Sequence, residues 1–131
     1  RYWLLSLSDR INNTPERIGT VEKTTQAASM SATVIALPSI APGVYRLSAT
    51  ARITRAATTS SSLTLTFGWT QAVACTVSSA AMTGNTTATT GSLVAIVRAD
   101  EATNVTYATT YASSGGTSMQ YRLDVCVEQL V

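Results

Sequence analysis

The chain has 131 residues, and few of its side chains are of types that do chemistry. In its body the acidic groups cluster only at Asp100-Glu101, with Asp124 farther along. A calcium site or a catalytic carboxylate pair would need such groups to converge. Neighbours in an extended chain point to opposite faces, so Asp100-Glu101 reads as a solvated turn. The two cysteines, Cys75 and Cys126, show neither CxxC spacing nor a histidine to complete a zinc set. Cys75 keeps phase with Val73, whereas Cys126 falls out of phase with Leu123, Val125 and Val127. Both read as small apolar fillers, with a disulfide between them as the alternative. The chain contains no histidine at all. That removes every Ser-His and Cys-His nucleophile pair, every His-ligated metal and the usual pH switch. No glycine-rich phosphate loop or nucleophile elbow is present either. These residues argue against an enzyme, and they imply no metal and no cofactor.

Groups suited to binding are easier to find. Trp69, Phe67, Tyr107, Tyr111 and Tyr121 include rings of the kind that stack on sugars. Phe67, Tyr107 and Tyr121 keep phase with aliphatic neighbours and read as core. Trp69 stands at a strand end, just before Thr70-Gln71, and is the candidate for exposure and ligand stacking. Arg46 and Arg52 lie on the polar face of one strand, and Arg122 lies on a similar face. They read either as solvated side chains or as subunit contacts that meet a partner carboxylate. Tyr2-Trp3-Leu4-Leu5 is either a first strand or an arm that anchors on another protein, since aromatic residues are favoured interface anchors. Three Asn-x-Thr triplets, at Asn12, Asn85 and Asn104, match the glycosylation pattern but arise readily by chance where threonine is abundant.

Charge sharpens this division. Charged residues make up 12% of the chain and the formal net charge is +2. The basic residues are scattered, which argues against nucleic acid. Residues 1–23 hold seven of the sixteen charges, while Thr (23), Ser (15) and Ala (19) dominate throughout. A body so poor in charge is expected to hide surface against copies of itself or other subunits. No apolar window approaches a membrane span, and Tyr2 to Leu5 is too short for a signal-peptide core. The chain thus reads as soluble, and without an initiator methionine it reads as processed or part of something longer.

The elements that must carry these residues are strands. Tyr45, Leu47, Ala49, Ala51 and Ile53 alternate with Arg46, Ser48, Thr50, Arg52 and Thr54, the pattern of a half-buried strand. Leu63, Leu65, Phe67 and Trp69 alternate in the same way. Shorter strands follow at Ser31–Leu37, Val73–Val77 and Val105–Tyr111, and a long one closes the chain from Met119 to Val127. Leu93 to Arg98 is a nearly continuous apolar run, as expected of a strand covered on both sides. Thr83-Gly84-Asn85 and Ser113-Ser114-Gly115-Gly116 supply turns. Pro15 after Thr14 suits a short helical turn within the polar stretch from Ser8 to Lys23. The expected fold is all-β: an antiparallel, jelly-roll-like sandwich over residues 24–131, with an extended N-terminal arm or linker over residues 1–23.

From about residue 20 onward the chain resembles small β-sandwich virion proteins of tailed bacteriophages, among them capsid decoration (cement), head-fibre and tail-fibre domains. The likeness is carried by Gly43-Val44-Tyr45-Arg46-Leu47-Ser48 and Ala51-Arg52-Ile53-Thr54. It continues in Ser61-Ser62-Leu63-Thr64-Leu65-Thr66, Gly68-Trp69-Thr70, Val105 to Tyr111 and Met119 to Val125. Over one strand, Gly43-Val44-Tyr45 is also similar to the trimeric jelly rolls of the C1q and TNF type. The phage likeness implies a structural subunit on a capsid surface or fibre, a homotrimer, tethered by Tyr2, Trp3, Leu4 and Leu5 to a major capsid or other virion protein. A carbohydrate-binding, host-recognition module, with Trp69 and the loops at 78–91 and 113–117 as a glycan site, is the alternative expectation.

Overall fold

Period-two alternation builds the sandwich. Tyr45, Leu47, Ala49, Ala51 and Ile53 are each at most 3% exposed, and so are Tyr121, Leu123, Val125 and Val127. In the computed structural model, which describes residues 16–35 and 39–131, these side chains point between two sheets. The strands are β1 (Glu16–Gln26), β2 (Met30–Val34), β3 (Gly43–Arg55), β4 (Ser60–Gln71), β5 (Val73–Ser78), β6 (Thr90–Ala99), β7 (Thr106–Ser114) and β8 (Gln120–Gln129). The first sheet has the order β1-β8-β3-β6 and the second β2-β7-β4-β5, with every pair antiparallel. Among the described strands, only the β4–β5 hairpin joins sequence neighbours within one sheet. Every other connection crosses between sheets, which is the jelly-roll way of winding eight strands.

Several expectations change in detail. The helical turn read after Pro15 is replaced by extended chain, because Glu16–Lys23 pair with β8 from Glu16↔Gln129 to Lys23↔Leu123. The composition shift at residue 24 therefore falls inside β1. A strand at a sheet edge can be polar on its exposed side, and β1 is mostly exposed, so its polarity resembled that of a linker. The apolar run at 93–98 is not covered on both sides: β6 is an edge strand of the first sheet, and among the described residues nothing packs on that sheet's outer face. Leu93 and Val97 face the core, while Val94 and Ile96 stand 58% and 60% exposed on the other face. The strand expected from Ser31 spans Met30–Val34, and residues 36–38 lie outside the described residues.

One polar chain crosses the core. The Met30 amide donates to Thr109 Oγ1 (2.9 Å), and the Tyr121 hydroxyl donates to the Ala28 carbonyl (2.8 Å). The 2.7 Å contact between Thr109 Oγ1 and Tyr121 Oη must then use the threonine proton. Thr109 is on β7 and Tyr121 on β8, so this chain joins the two sheets where both residues are buried. Burial pushes the Tyr121 hydroxyl above its usual 10.0, against the Thr109 hydrogen bond. The β5–β6 connection is held by Asn85, whose amide donates to the carbonyls of Ala57 and Thr59 while its oxygen accepts from Ser61.

Candidate functional site

Register decides which polar residues meet. Residues directly opposite in neighbouring strands share a face, so the outer surface of the first sheet can be read as cross-strand rows. Arg17, Glu128, Arg46 and Ile96 form one row. Thr20, Cys126, Ser48 and Val94 form the next, which carries no charge. Then come Glu22, Asp124, Thr50 and Ser92, and finally Arg122, Arg52 and Thr90. Most of the charge in the described body is on this face, and along β6 it presents the exposed aliphatics Val94 and Ile96 between Ser92 and Arg98.

All three arginines expected at a subunit contact lie here. Arg46 holds Glu128 through both carboxylate oxygens, with Nε and Nη2 at 3.0–3.1 Å. Arg122 donates to Asp124 at 3.0 and 3.2 Å and to Glu22 at 2.7 Å. For these two, the carboxylate comes from the same subunit, because β8 sets Glu128 beside Arg46 and Asp124 two residues from Arg122 on the same face. Arg52 differs. It is exposed, it stands opposite Arg122, and among the described residues it makes no ion pair. The Arg46 hydrogen bond, reinforced by its charge, draws the Glu128 carboxyl below its ordinary 4.5. The Asp124 hydrogen bond and charge, and then the charge of Glu22, raise the Arg122 guanidinium further. Burial, together with the Glu128 charge, pushes the Cys126 thiol up.

Two shallow grooves cross this face. One of about 590 Å³ is lined by Thr50, Arg52, Thr90, Ser92, Arg122 and Asp124. The other, about 410 Å³, runs over Arg17, Thr20, Ser48 and Cys126. The face thus combines hydroxyls, ion pairs and exposed aliphatics.

The remaining candidates lie elsewhere. Trp69 is half-buried and packs against the core, with its Nε1 shielded and unpartnered among the described residues. In phase with Leu63, Leu65 and Phe67 along β4, the ring turns toward the core, where an exposed ring was expected. Asp100 and Glu101 sit in an exposed bend, while Asp124 binds Arg122, and no three potential ligands cluster among the described residues. Both cysteines are free, Cys75 in the second sheet and Cys126 in the first. Tyr2, Trp3, Leu4 and Leu5 lie outside the described residues. Val94 and Ile96, expected to be covered, are exposed, and Glu128 and Glu22 are arginine partners that the sequence pattern does not indicate. A strict alternation test would have separated Leu93 and Val97 from Val94 and Ile96. The arginine partners needed strand order.

No family model matches the chain, and no curated protein matches it. Among solved structures, the globular domain of zebrafish complement 1qA protein is similar, with a TM-score of 0.59 at 14% identity. The match covers 88% of this chain and 98% of that one. At that identity the likeness is one of fold. It agrees with an antiparallel, jelly-roll-like sandwich and with the C1q-type resemblance of Gly43-Val44-Tyr45.

Proposed function

We propose that this chain is a structural subunit of a bacteriophage virion, a capsid decoration or fibre-type protein. It acts by associating with copies of itself, as a homotrimer, and by resting on a capsid or other virion protein. The observation that carries the self-association is the exposure of Val94 and Ile96, 58% and 60%, on the charge-poor side of the first sheet. A long edge strand with an apolar outer face is a hazard to a lone soluble protein and an asset to an assembled one. The placement on a phage particle rests on the sequence likeness carried by residues 43–54, 61–70, 105–111 and 119–125. Trp69 packs on the core, so no observation favours the glycan-binding alternative.

Light scattering behind a sizing column tests the association. The expected mass is about three times the 13.7 kDa of the chain, or about six times where two trimers pair, and a monomer across the accessible concentration range overturns the reading. Anchoring is tested separately by deleting residues 1–15, which leaves β1 intact. The shortened chain should fold and assemble but no longer decorate particles, and undiminished decoration would remove Tyr2 to Leu5 from the anchor.

A further inference from the structure

Strand β6 has the features of an edge built to be paired. It matches β3 over ten residues, from Gly43↔Ala99 to Arg52↔Thr90, with no bulge. It contains neither lysine nor proline, two of the residues that usually blunt an edge. Among the described residues its backbone makes no hydrogen bond outside the ladder with β3. Alternate N–H and C=O groups along its far side are therefore open.

We propose that β6 pairs antiparallel with β6 of a second copy, about a two-fold axis at Ala95, joining two four-stranded sheets into one of eight strands. The inference takes from the proposed function only that the partner is this same chain. An axis normal to the sheet keeps outer faces together, so only registers that match outward residues with outward residues are allowed. Of these, the register centred on Ala95 sets Val94 opposite the partner's Ile96 and Ile96 opposite the partner's Val94. Shifting the axis by one residue toward either end matches one of these aliphatics with itself and sets the other against Ser92 or Arg98. The same register brings the partner's Asp100 opposite Thr90, whose neighbour on β3 is Arg52. Two strand spacings, roughly 10 Å, then separate the partner's Asp100 from Arg52, a span their side chains can close. Arg52 and Asp100 are both exposed, and neither forms an ion pair among the described residues. The partner's Arg98 falls opposite Ser92, at the rim of the groove that contains Asp124. Symmetry repeats each contact, so one edge combines an apolar centre with complementary charges at both ends.

Paired cysteines test the register in a background lacking Cys75 and Cys126. Val94→Cys with Ile96→Cys should give a disulfide-linked dimer under mild oxidation, because opposed Cα atoms in such a ladder lie about 4.5–5.5 Å apart. Val94→Cys with Arg98→Cys should not, and the reverse result overturns the register. Light scattering of the unmodified chain should give about six times 13.7 kDa, two trimers joined through β6, halved to a trimer by Ile96→Lys; a dimer would keep the edge contact and overturn the trimer. Asp100→Arg should weaken the pairing tenfold or more, and adding Arg52→Asp should restore it. A mass three times that of the chain and unmoved by Ile96→Lys overturns the edge contact while leaving the trimer reading standing, whereas a monomer overturns both. If β6 amides in a monomer resist hydrogen exchange until residues 1–15 are deleted, the arm covers the edge and the proposal fails.

Discussion

Replacing Thr109 with valine keeps the shape of the side chain and removes the hydroxyl that links the two sheets. Two things are lost. The hydrogen bond to Tyr121 goes, and a typical one contributes about 1 kcal/mol net. The Met30 amide also loses its acceptor, and leaving such a group unmet costs about 1–2 kcal/mol where it is partly shielded. The expected destabilisation is therefore about 2–3 kcal/mol. Using about 2.1 cal/mol/K of unfolding entropy per residue, that is a fall of about 10 °C in Tm. Tyr121→Phe should cost about 1–2 kcal/mol, because it strands the Ala28 carbonyl and the threonine proton. The bond between the two hydroxyls is removed by either change but can be lost only once. The double variant should thus fall short of the sum by about 1 kcal/mol. Urea unfolding at one fixed protein concentration, with matching m values, measures all three. A Thr109→Val effect below about 0.5 kcal/mol, or strict additivity in the double variant, would refute the hydrogen-bonded link between the two sheets.

Three further outcomes follow from the same structure. Ala72 alone bridges β4 and β5 with φ of 60°. Ala72→Gly should raise stability by about 0.5–1 kcal/mol, since left-handed backbone strains an L-residue more than glycine's extra freedom costs, and a lower urea midpoint would contradict this. Gly84 is buried against Met119 and Ile53 with no space for a Cβ; Gly84→Ala should cost about 1–3 kcal/mol by overpacking, and an unchanged midpoint would show that the loop yields freely. The Glu128 carboxyl is held below 4.5 by Arg46, so its contribution to stability is full above that value and is lost as pH falls through the lower folded one. Glu128→Gln should therefore flatten the acid limb of the stability profile below pH 4.5, and a limb of unaltered steepness would place the acid sensitivity elsewhere.

Alternation was legible wherever a strand had one wet face. The residues Tyr45 to Ile53, Leu63 to Phe67 and Tyr121 to Val127 could be assigned to the core from period alone, because a pleated chain sends every second side chain inward. Two edges were harder. β1 carries charges on its exposed positions and resembled a linker, while β6 carries aliphatics on both faces and resembled a buried strand. Ala72 also hid the tightest hairpin, since no Gly, Asn or Asp marked it.

The sequence by itself determined the class of the fold, an all-β body, poor in charge and without histidine. The arrangement of its arginines was decided by the fold. Residues 46 and 128, or 22 and 122, are far apart in the chain and meet only because β8 lies between β1 and β3. Whether Val94 and Ile96 meet another layer or open solvent was likewise decided by the fold, because only one face of the first sheet packs on the second.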